Sequence, residues 1–354
     1  MRAALIGTGQ IAQQHLSCLR SLAGITLAGV CDLSRALAES AAERFGVAAW
    51  FTDHRAMLNQ VRPDVVHITT PPVSHFPLAM DALAAGSHVI VEKPVTAARA
   101  ELDVLLRWAR QHGRVLVEDY NYLFNAPVRR MVELMDSGEL GEVLDVEVRI
   151  GSNLLERGHP FADRDVPHPS LALPGGAIGD YLPHLASLAH RFVGPQQAVR
   201  AHWSKRVADS PLPCDEFRAV VAARRGTAAL SFSSGAQPEL FWVRVSGTRM
   251  RATADLFDGT LVLNRLGGGP RPIARLCDRL REARDIRRAT RAGFWQKFAA
   301  GPGVYDGLWT LVARTRCPRS SRAATTWRPR KPAASVTKMV KTGSPPPSRP
   351  PRGR

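Results

Sequence analysis

A short apolar run, residues 3–6, passes straight into Gly7-Thr8-Gly9-Gln10-Ile11-Ala12 and then into an amphipathic stretch. Few architectures accommodate this G-x-G-x-x-A spacing when it follows a strand and opens a helix. Gly7 permits the tight turn, Gly9 lets backbone approach a pyrophosphate, and Ala12 lets the helix pack close to the strand. The helix N-terminus then presents N–H groups and the positive end of its dipole to phosphate. Gly7, Thr8, Gly9, Gln10 and Ile11 are therefore candidate dinucleotide-binding residues. The second apolar run ends at Asp32. A carboxylate there can accept the ribose hydroxyls and repels a 2′-phosphate, which favours NAD. Arg35 close by leaves NADP open.

The rest of the first ~118 residues repeats this alternation, as expected of a doubly wound sheet. Runs at 3–6, 25–31, 65–69, 88–92 and 115–119 read as buried strands. Helical stretches fall at 10–22, 34–45, 75–85 and 97–112, with Ser34 and Thr96 as N-caps and Gly46, Gly86 and Gly113 as stops. Beyond residue 120 the period changes. A helix at 126–137 is followed by alternating runs at 143–150, 198–204, 217–224, 227–234, 240–247 and 250–257, with a helix from Gly179 to about Phe192 between the first two. Residues 275–300 read as Arg-rich helices. The expected fold is an α/β N-terminal Rossmann domain with a doubly wound parallel sheet (1–120). An α+β domain with a mostly antiparallel open sheet follows (121–313), and then a basic Pro/Ser/Arg-rich disordered tail (314–354).

Charge does not redirect this reading. The net charge is +17, yet residues 307–354 hold 12 Lys and Arg and no acid, leaving 36 basic against 31 acidic residues in the body. The excess belongs to a segment too poor in apolar residues to fold alone, so a nucleic-acid partner is not expected. No run approaches the ~20 apolar residues of a membrane span. The N-terminus lacks the apolar core of a signal peptide. Five scattered cysteines without a C-x-x-C pair fit a reducing cytoplasm.

Two further segments carry chemistry. Thr69-Thr70-Pro71-Pro72 follows a buried strand, at the carboxyl edge where such sheets bind ligands, and can meet the nicotinamide or its ribose. His75 reads equally as a residue at a helix start and as a cofactor contact. Glu92-Lys93-Pro94 ends another strand at that edge. Lys93 can hold a substrate oxygen, and Glu92 can pair with it or brace the cofactor. Farther on, Asp180 and His184 stand four apart on one helical face, after Gly175, Gly176 and Gly179. A carboxylate and an imidazole so placed suit proton transfer. They also suit an acid at the helix dipole beside a core histidine. No further ligand at a supporting spacing joins them, so no metal is expected.

The G-x-G-x-x-A start, "TTPP…H", "GSHVIVEKP" and "GGAIGDYLPH" resemble, in order and spacing, the glucose–fructose oxidoreductase/inositol dehydrogenase (Gfo/Idh/MocA) family over residues 2–310. The resemblance implies an NAD(P)-dependent oxidoreductase acting on sugars, polyols and related hydroxy compounds. Lys93 would sit near nicotinamide and substrate, His184 would be the acid/base, and Asp180 would orient it or the substrate. Dimers or tetramers built through the open sheet face are implied, as is a chain crossing at 118–127, where Glu118, Asn121 and Tyr122 could face a ligand. The pocket loop would be 153–176, with His159, Arg164 and His168. A redox-silent NAD-binding sensor is the alternative on the same fold. The sequence departs from the family after Arg314, where apolar periodicity stops, as in a divergent tail or a shifted reading frame.

Overall fold

The computed structural model describes residues 1–163, 165, 168–265 and 271–300. Two compact units divide between Asn125 and Ala126.

The first unit runs β1 (Arg2–Ile6), α1 (Ala12–Ser21), β2 (Thr26–Cys31), α2 (Arg35–Phe45), β3 (Trp50–Phe51), α3 (His54–Val61), β4 (Val65–Ile68), α4 (His75–Ala84), β5 (His88–Val91), α5 (Arg99–Gln111) and β6 (Leu116–Glu118). The sheet order is β3-β2-β1-β4-β5-β6, with every pair parallel. Helices cover both faces, so the central strands read as unbroken apolar runs. Leu5 and Val30 pack with Leu16, Ala42 and Phe45 on one side. Ile6, Val66, Ile68, Val89 and Val91 pack with Met57, Leu83 and Leu105 on the other. Each fully buried Leu, Ile or Val in these layers contributes about 1.5–3 kcal/mol.

Local signals set the ends of the elements. The Ser34 hydroxyl accepts from Leu37 N–H at the start of α2, and Gly46 ends that helix in the left-handed region. Thr96 does not cap α5. The cap is Ala98, and the Thr96 hydroxyl instead donates to the Ala98 carbonyl, so the helix starts at Arg99. The sequence reading passed over β3 and α3. A two-residue strand has no readable period, and the one clear sign was Asp53, whose carboxylate caps α3 through Arg55 N–H. Strand order reverses between β1 and β4, so the loops after these two strands diverge and leave a crevice at their carboxyl ends.

The second unit contains α6 (Ala126–Asp136), β7 (Val143–Asn153), α7 (Ala177–Val193), β8 (Gln196–Ser204), β9 (Glu216–Ala223), β10 (Gly226–Ser233), β11 (Gly235–Gly247), β12 (Met250–Asp255) and β13 (Thr260–Arg265). Its sheet has the order β13-β12-β11-β7-β10-β9-β8. All its pairs are antiparallel except β7 with β10. Helix α7 covers one face, burying Ile178, Leu182, Leu185, Leu188 and Phe192 at helical spacing. Inward residues alternate beneath it: Val146, Val148 and Ile150 on β7, and Ala228, Leu230 and Phe232 on β10. Residue pairs such as Tyr181 on Phe232, with ring centroids 4.8 Å apart, lock helix to sheet. On other strand positions Leu144 and Val220 remain more than half exposed.

The Arg-rich stretch forms one helix, α8 (Arg271–Ala300), which leaves Ile273, Leu276 and Leu280 largely exposed. Residues 301–313 and the basic tail of 314–354 lie outside the described residues. Among the described residues no helix is long and apolar enough to cross a membrane.

Candidate active site

The glycine loop is shaped by its neighbours. Gly7 has φ +90°, and a Cβ there would lie 2.6 Å from Thr70 Cγ2 and 2.9 Å from Thr70 N. Only glycine lets the β1 loop pass the β4 loop this closely. Gly9 differs: a Cβ there would meet nothing within 4 Å. The space over Gly9 is open, as a backbone cradle for a ligand requires. Gln10 and Gly9 are exposed, Ile11 is half-buried, and α1 has neither a side-chain N-cap nor an acid in its first turn. The Gln13 and Gln14 N–H groups turn back to the Gln10 and Ile11 carbonyls, so what α1 offers an anion is the positive end of its dipole behind the open Gly9 loop.

Thr8 and Thr69 are buried and serve the fold. The Thr8 N–H and hydroxyl donate to Asp32 Oδ2 at 2.8 and 3.1 Å, and the Thr69 hydroxyl donates to the Gly7 carbonyl at 2.5 Å. Asp32 Oδ1 accepts from Ser34 N–H at 2.9 Å, so the carboxylate is held at the tip of β2 beside the glycine loop. Arg35 lies over the Trp50 ring and pairs with Glu39 at 3.8 Å. Pro71 is exposed, Pro72 opens a short 3-10 turn, and the Thr70 hydroxyl accepts from Ser74 Oγ at 2.8 Å.

His75 is completely buried. Its Nδ1 lies 2.8 Å from the Pro94 carbonyl and its Nε2 2.7 Å from the Thr70 carbonyl. It clasps the β4 loop to the Glu92-Lys93-Pro94 turn, with both ring nitrogens engaged by backbone. That turn is the carboxyl end of β5. Lys93 is half-buried there, and its N–H donates to Glu92 Oε2 at 3.2 Å.

Sequence reasoning missed the histidine pair behind this turn. His15 of α1 and His67 of β4 are fully buried, with their Nδ1 atoms 2.9 Å apart. His15 Nε2 lies 3.2 Å from Glu92 Oε1 and 3.4 Å from Asp119 Oδ2. A histidine inside the apolar run "VVHIT" was the available signal. Burial by itself lowers the His15 pKa, but hydrogen bonds to Asp119 and Glu92 and their charges outweigh it and raise it from 6.5 to about 9. A raised folded pKa contributes stability that is complete below about 6.5 and is lost as pH rises through about 9. The melting temperature of the full chain should therefore fall between about pH 6.5 and pH 9, more steeply than that of His15→Gln. Glu118 is pushed up to about 7 by burial, against hydrogen bonds from Tyr120 and Val95 N–H, with Glu92 and Asp119 adding to the rise.

The second unit holds the other candidate pair. Gly176, at φ +59°, precedes α7, and a Cβ there would lie 2.8 Å from Pro213 Cγ. Asp180 sits in the first turn of α7, and its Oδ1 accepts from Ser170 Oγ at 3.2 Å. One turn on, His184 is buried directly after Pro183. Proline has no N–H, so the Gly179 carbonyl lacks its usual helical donor and the helix is locally loosened at this pair. The pocket-loop histidines have local duties. His159 Nδ1 accepts from Phe161 N–H, and His168 Nδ1 accepts from Ser170 N–H. Arg164 lies outside the described residues.

A glycine-loop parallel sheet, a carboxylate at the second strand tip and a second, mixed-sheet domain define the class of two-domain NAD-binding oxidoreductase folds. The chain belongs to the GFO/IDH/MocA family. Residues 1–120 match its oxidoreductase domain with the NAD-binding Rossmann fold, and residues 128–256 match its C-terminal domain. The cofactor of the first unit is accordingly NAD. D-glucoside 3-dehydrogenase of Escherichia coli is 35% identical over 144 residues, 40% of this chain and 41% of that protein. The dTDP-3,4-didehydro-2,6-dideoxy-alpha-D-glucose 3-reductase of Streptomyces violaceoruber is 39% identical over 173 residues, 48% of each chain. The match thus spans less than half the length of these two relatives. A crystal structure of an NAD-binding oxidoreductase from Klebsiella pneumoniae shares the fold, with a TM-score of 0.72 at 21% identity over 89% of this chain and 88% of that one.

Proposed function

We propose that this protein is an NAD-dependent oxidoreductase that moves a hydride between the cofactor and a hydroxyl-bearing carbon of a sugar or polyol. The observation that carries this reading is the Asp180/His184 pair. Its carboxylate is held by Ser170 and its imidazole is one helical turn away, in the domain that follows the NAD-binding one. Both similar proteins quoted above are named for reactions at position 3 of a hexose, which supports a sugar ring as substrate.

When bound, the nicotinamide supplies hydride acceptance and, in reverse, hydride donation. His184 takes the proton of the reacting hydroxyl and returns it in the opposite direction. Asp180 orients the imidazole or a neighbouring substrate hydroxyl. Lys93 holds the reacting oxygen and stabilises the negative charge that grows on it. Gly7, Gly9, Gln10 and Ile11 receive the pyrophosphate, and Asp32 accepts the ribose hydroxyls. Arg35, committed to Trp50 and Glu39, gives a 2′-phosphate little compensation for Asp32. The chain works in the cytoplasm as a dimer or tetramer, joined through the open face of the second-unit sheet.

The test is turnover on a panel of glucosides, nucleotide-linked hexoses and inositols, followed by nicotinamide absorbance. NADH binding with no turnover on any of them would favour the sensor reading. NADH at a hundredfold its Kd should raise stability by about 2.7 kcal/mol, and NADPH at equal concentration by less. Equal stabilisation would remove Asp32 as the selectivity residue. Gly9→Ala should keep the wild-type melting temperature, because its Cβ meets nothing, yet bind NADH at least about tenfold more weakly by filling the cradle. Scanning calorimetry reads the first quantity and titration calorimetry the second.

A further inference from the structure

The buried ionisable groups behind the Glu92-Lys93-Pro94 turn are not used by the proposed chemistry. His15 lies between two carboxylates on one side and His67 on the other, with the two imidazole planes at 84°. Carboxylates only accept hydrogen bonds, so His15 Nε2 carries a proton. The Nδ1–Nδ1 contact requires a second proton between the rings, on one histidine or the other. Placing it on His15 makes an imidazolium against two acids that are almost wholly buried, which offsets one of their two charges, while burial and Glu92 raise the Asp119 pKa and so ease the other. Placing it on His67 leaves the acids facing a neutral ring. Glu92 is the link outward. One of its oxygens meets His15 and the other accepts the Lys93 N–H.

We propose that His15 is a positioning residue for Lys93: as an imidazolium it anchors the Glu92 carboxylate, which in turn holds the Lys93 backbone and fixes the direction in which that side chain leaves β5. The inference rests on the role given to Lys93 above. His75 fastens the same turn from the β4 side through the Pro94 carbonyl, so the turn is tied at both flanks. The groups in contact with His15 are His67 from β4, Glu92 from the end of β5 and Asp119 from the end of β6; beyond them Cys18 feels the Asp119 charge, and Glu118, bonded to Tyr120, feels Glu92 and Asp119. Burial and His15 hold the His67 pKa well below 6.5, while burial and Asp119 push Cys18 up to about 12. Neither takes the proton from His15 in the neutral range. Burial and Glu118 hold Tyr120 well above the usual phenol range. Loss of the Nδ1 proton removes the positive charge that holds Glu92, leaving only the neutral Nε2–H bond, and so slackens the Lys93 turn.

The experiment uses the full chain labelled with 15N-histidine. Long-range 1H–15N spectra from about pH 6 to pH 10 read the charge of each imidazole directly. The His15 signals are assigned by their loss in His15→Gln. In parallel, acylation of Lys93 by a limiting amine reagent is followed by peptide mass spectrometry, with Lys205 of the second unit as internal control. His15 should be an imidazolium at about pH 8 and lose its proton near pH 9. The Lys93 rate should change by at least about threefold in both His15→Gln and Glu92→Gln, with Lys205 unchanged. If His15→Gln does not melt cooperatively, the near-isosteric Glu92→Gln carries the test.

A neutral His15 at pH 8, or Lys93 rates unmoved in a folded Glu92→Gln, overturns the proposal. So does a stoichiometric divalent cation in the purified chain whose chelation changes the His15 signals. The His15, Glu92 and Asp119 ligand atoms lie within 4.8 Å of one another and would then be ligands. Failure of the oxidoreductase reading is separable, since it shows as absent turnover in the wild type while the spectra and acylation rates stand.

Discussion

Replacing His184 with alanine is expected to lower kcat by about 10²–10⁴-fold, the usual worth of a positioned acid/base, while the Kd for NADH stays within about twofold. His184 belongs to α7 of the second unit, whereas the glycine loop, Asp32 and the β4 loop belong to the first. Its loss therefore removes a proton-transfer group without touching the residues assigned to the cofactor. A cavity is also created, because His184 is buried, so the variant must be compared at a temperature where both chains melt cooperatively. Stopped-flow turnover with the substrate found in the panel, and NADH fluorescence titration, give the two numbers. Turnover within a few-fold of wild type would remove His184 from the mechanism. Asp180→Asn should fall between the two, because its amide still accepts from Ser170 but no longer supports an imidazolium.

Gly179→Ala should unfold the second unit or destabilise it by about 2–4 kcal/mol, a backbone clash setting the scale. An added Cβ would lie 2.3 Å from the Pro174 carbonyl oxygen and 3.4 Å from Leu173 Cβ. The first of these atoms is backbone in a segment fixed by the Leu173 N–H to Ser170 carbonyl and Gly176 N–H to Leu173 carbonyl bonds. It cannot swing aside as a flexible side chain would. On an open helix the same change would gain about 1 kcal/mol of helix propensity, so a loss measured by urea unfolding reports the contact. An unchanged midpoint would mean that the 173–176 turn can move and that the Asp180/His184 pair is less firmly seated than its contacts indicate. Loss of turnover with retained NADH binding is expected alongside, since the pair rides on this turn.

Much of this was legible in the residues. The period of apolar runs found five strands of the first sheet, because a strand covered on both faces must be apolar throughout, and β4 and β5 are buried at nearly every position. Alternation found β7 to β12 because one face of that sheet is covered by α7. What escaped had weak local signals. The two residues of β3 carry no period, and β13 is half-buried throughout rather than alternating. Thr96 had the chemistry of a cap but stood two residues ahead of the cap position, Ala98.

The candidate site divides along the same line. Glycine spacing, the carboxylate at a strand end, Lys93 after a strand and the i, i+4 acid–imidazole pair are properties of order along the chain, and order is what a sequence records. The assignment of duties among neighbouring polar groups is not. Thr8, Thr69 and His75 have side chains suited to a ligand, yet each is turned to a backbone or carboxylate partner brought from another strand or its loop, His75 to the Pro94 carbonyl after β5. His15, His67, Glu92 and Asp119 are spread over a hundred residues and become one charged cluster only because α1, β4, β5 and β6 converge. Fold class, the dinucleotide fingerprint and the residues available for chemistry depend on local period and spacing and can be read along the chain. Which of those residues are turned toward other segments and consumed in holding the site emerges with packing. Burial and hydrogen-bond partnership are set between segments far apart in the chain, where no local pattern reaches.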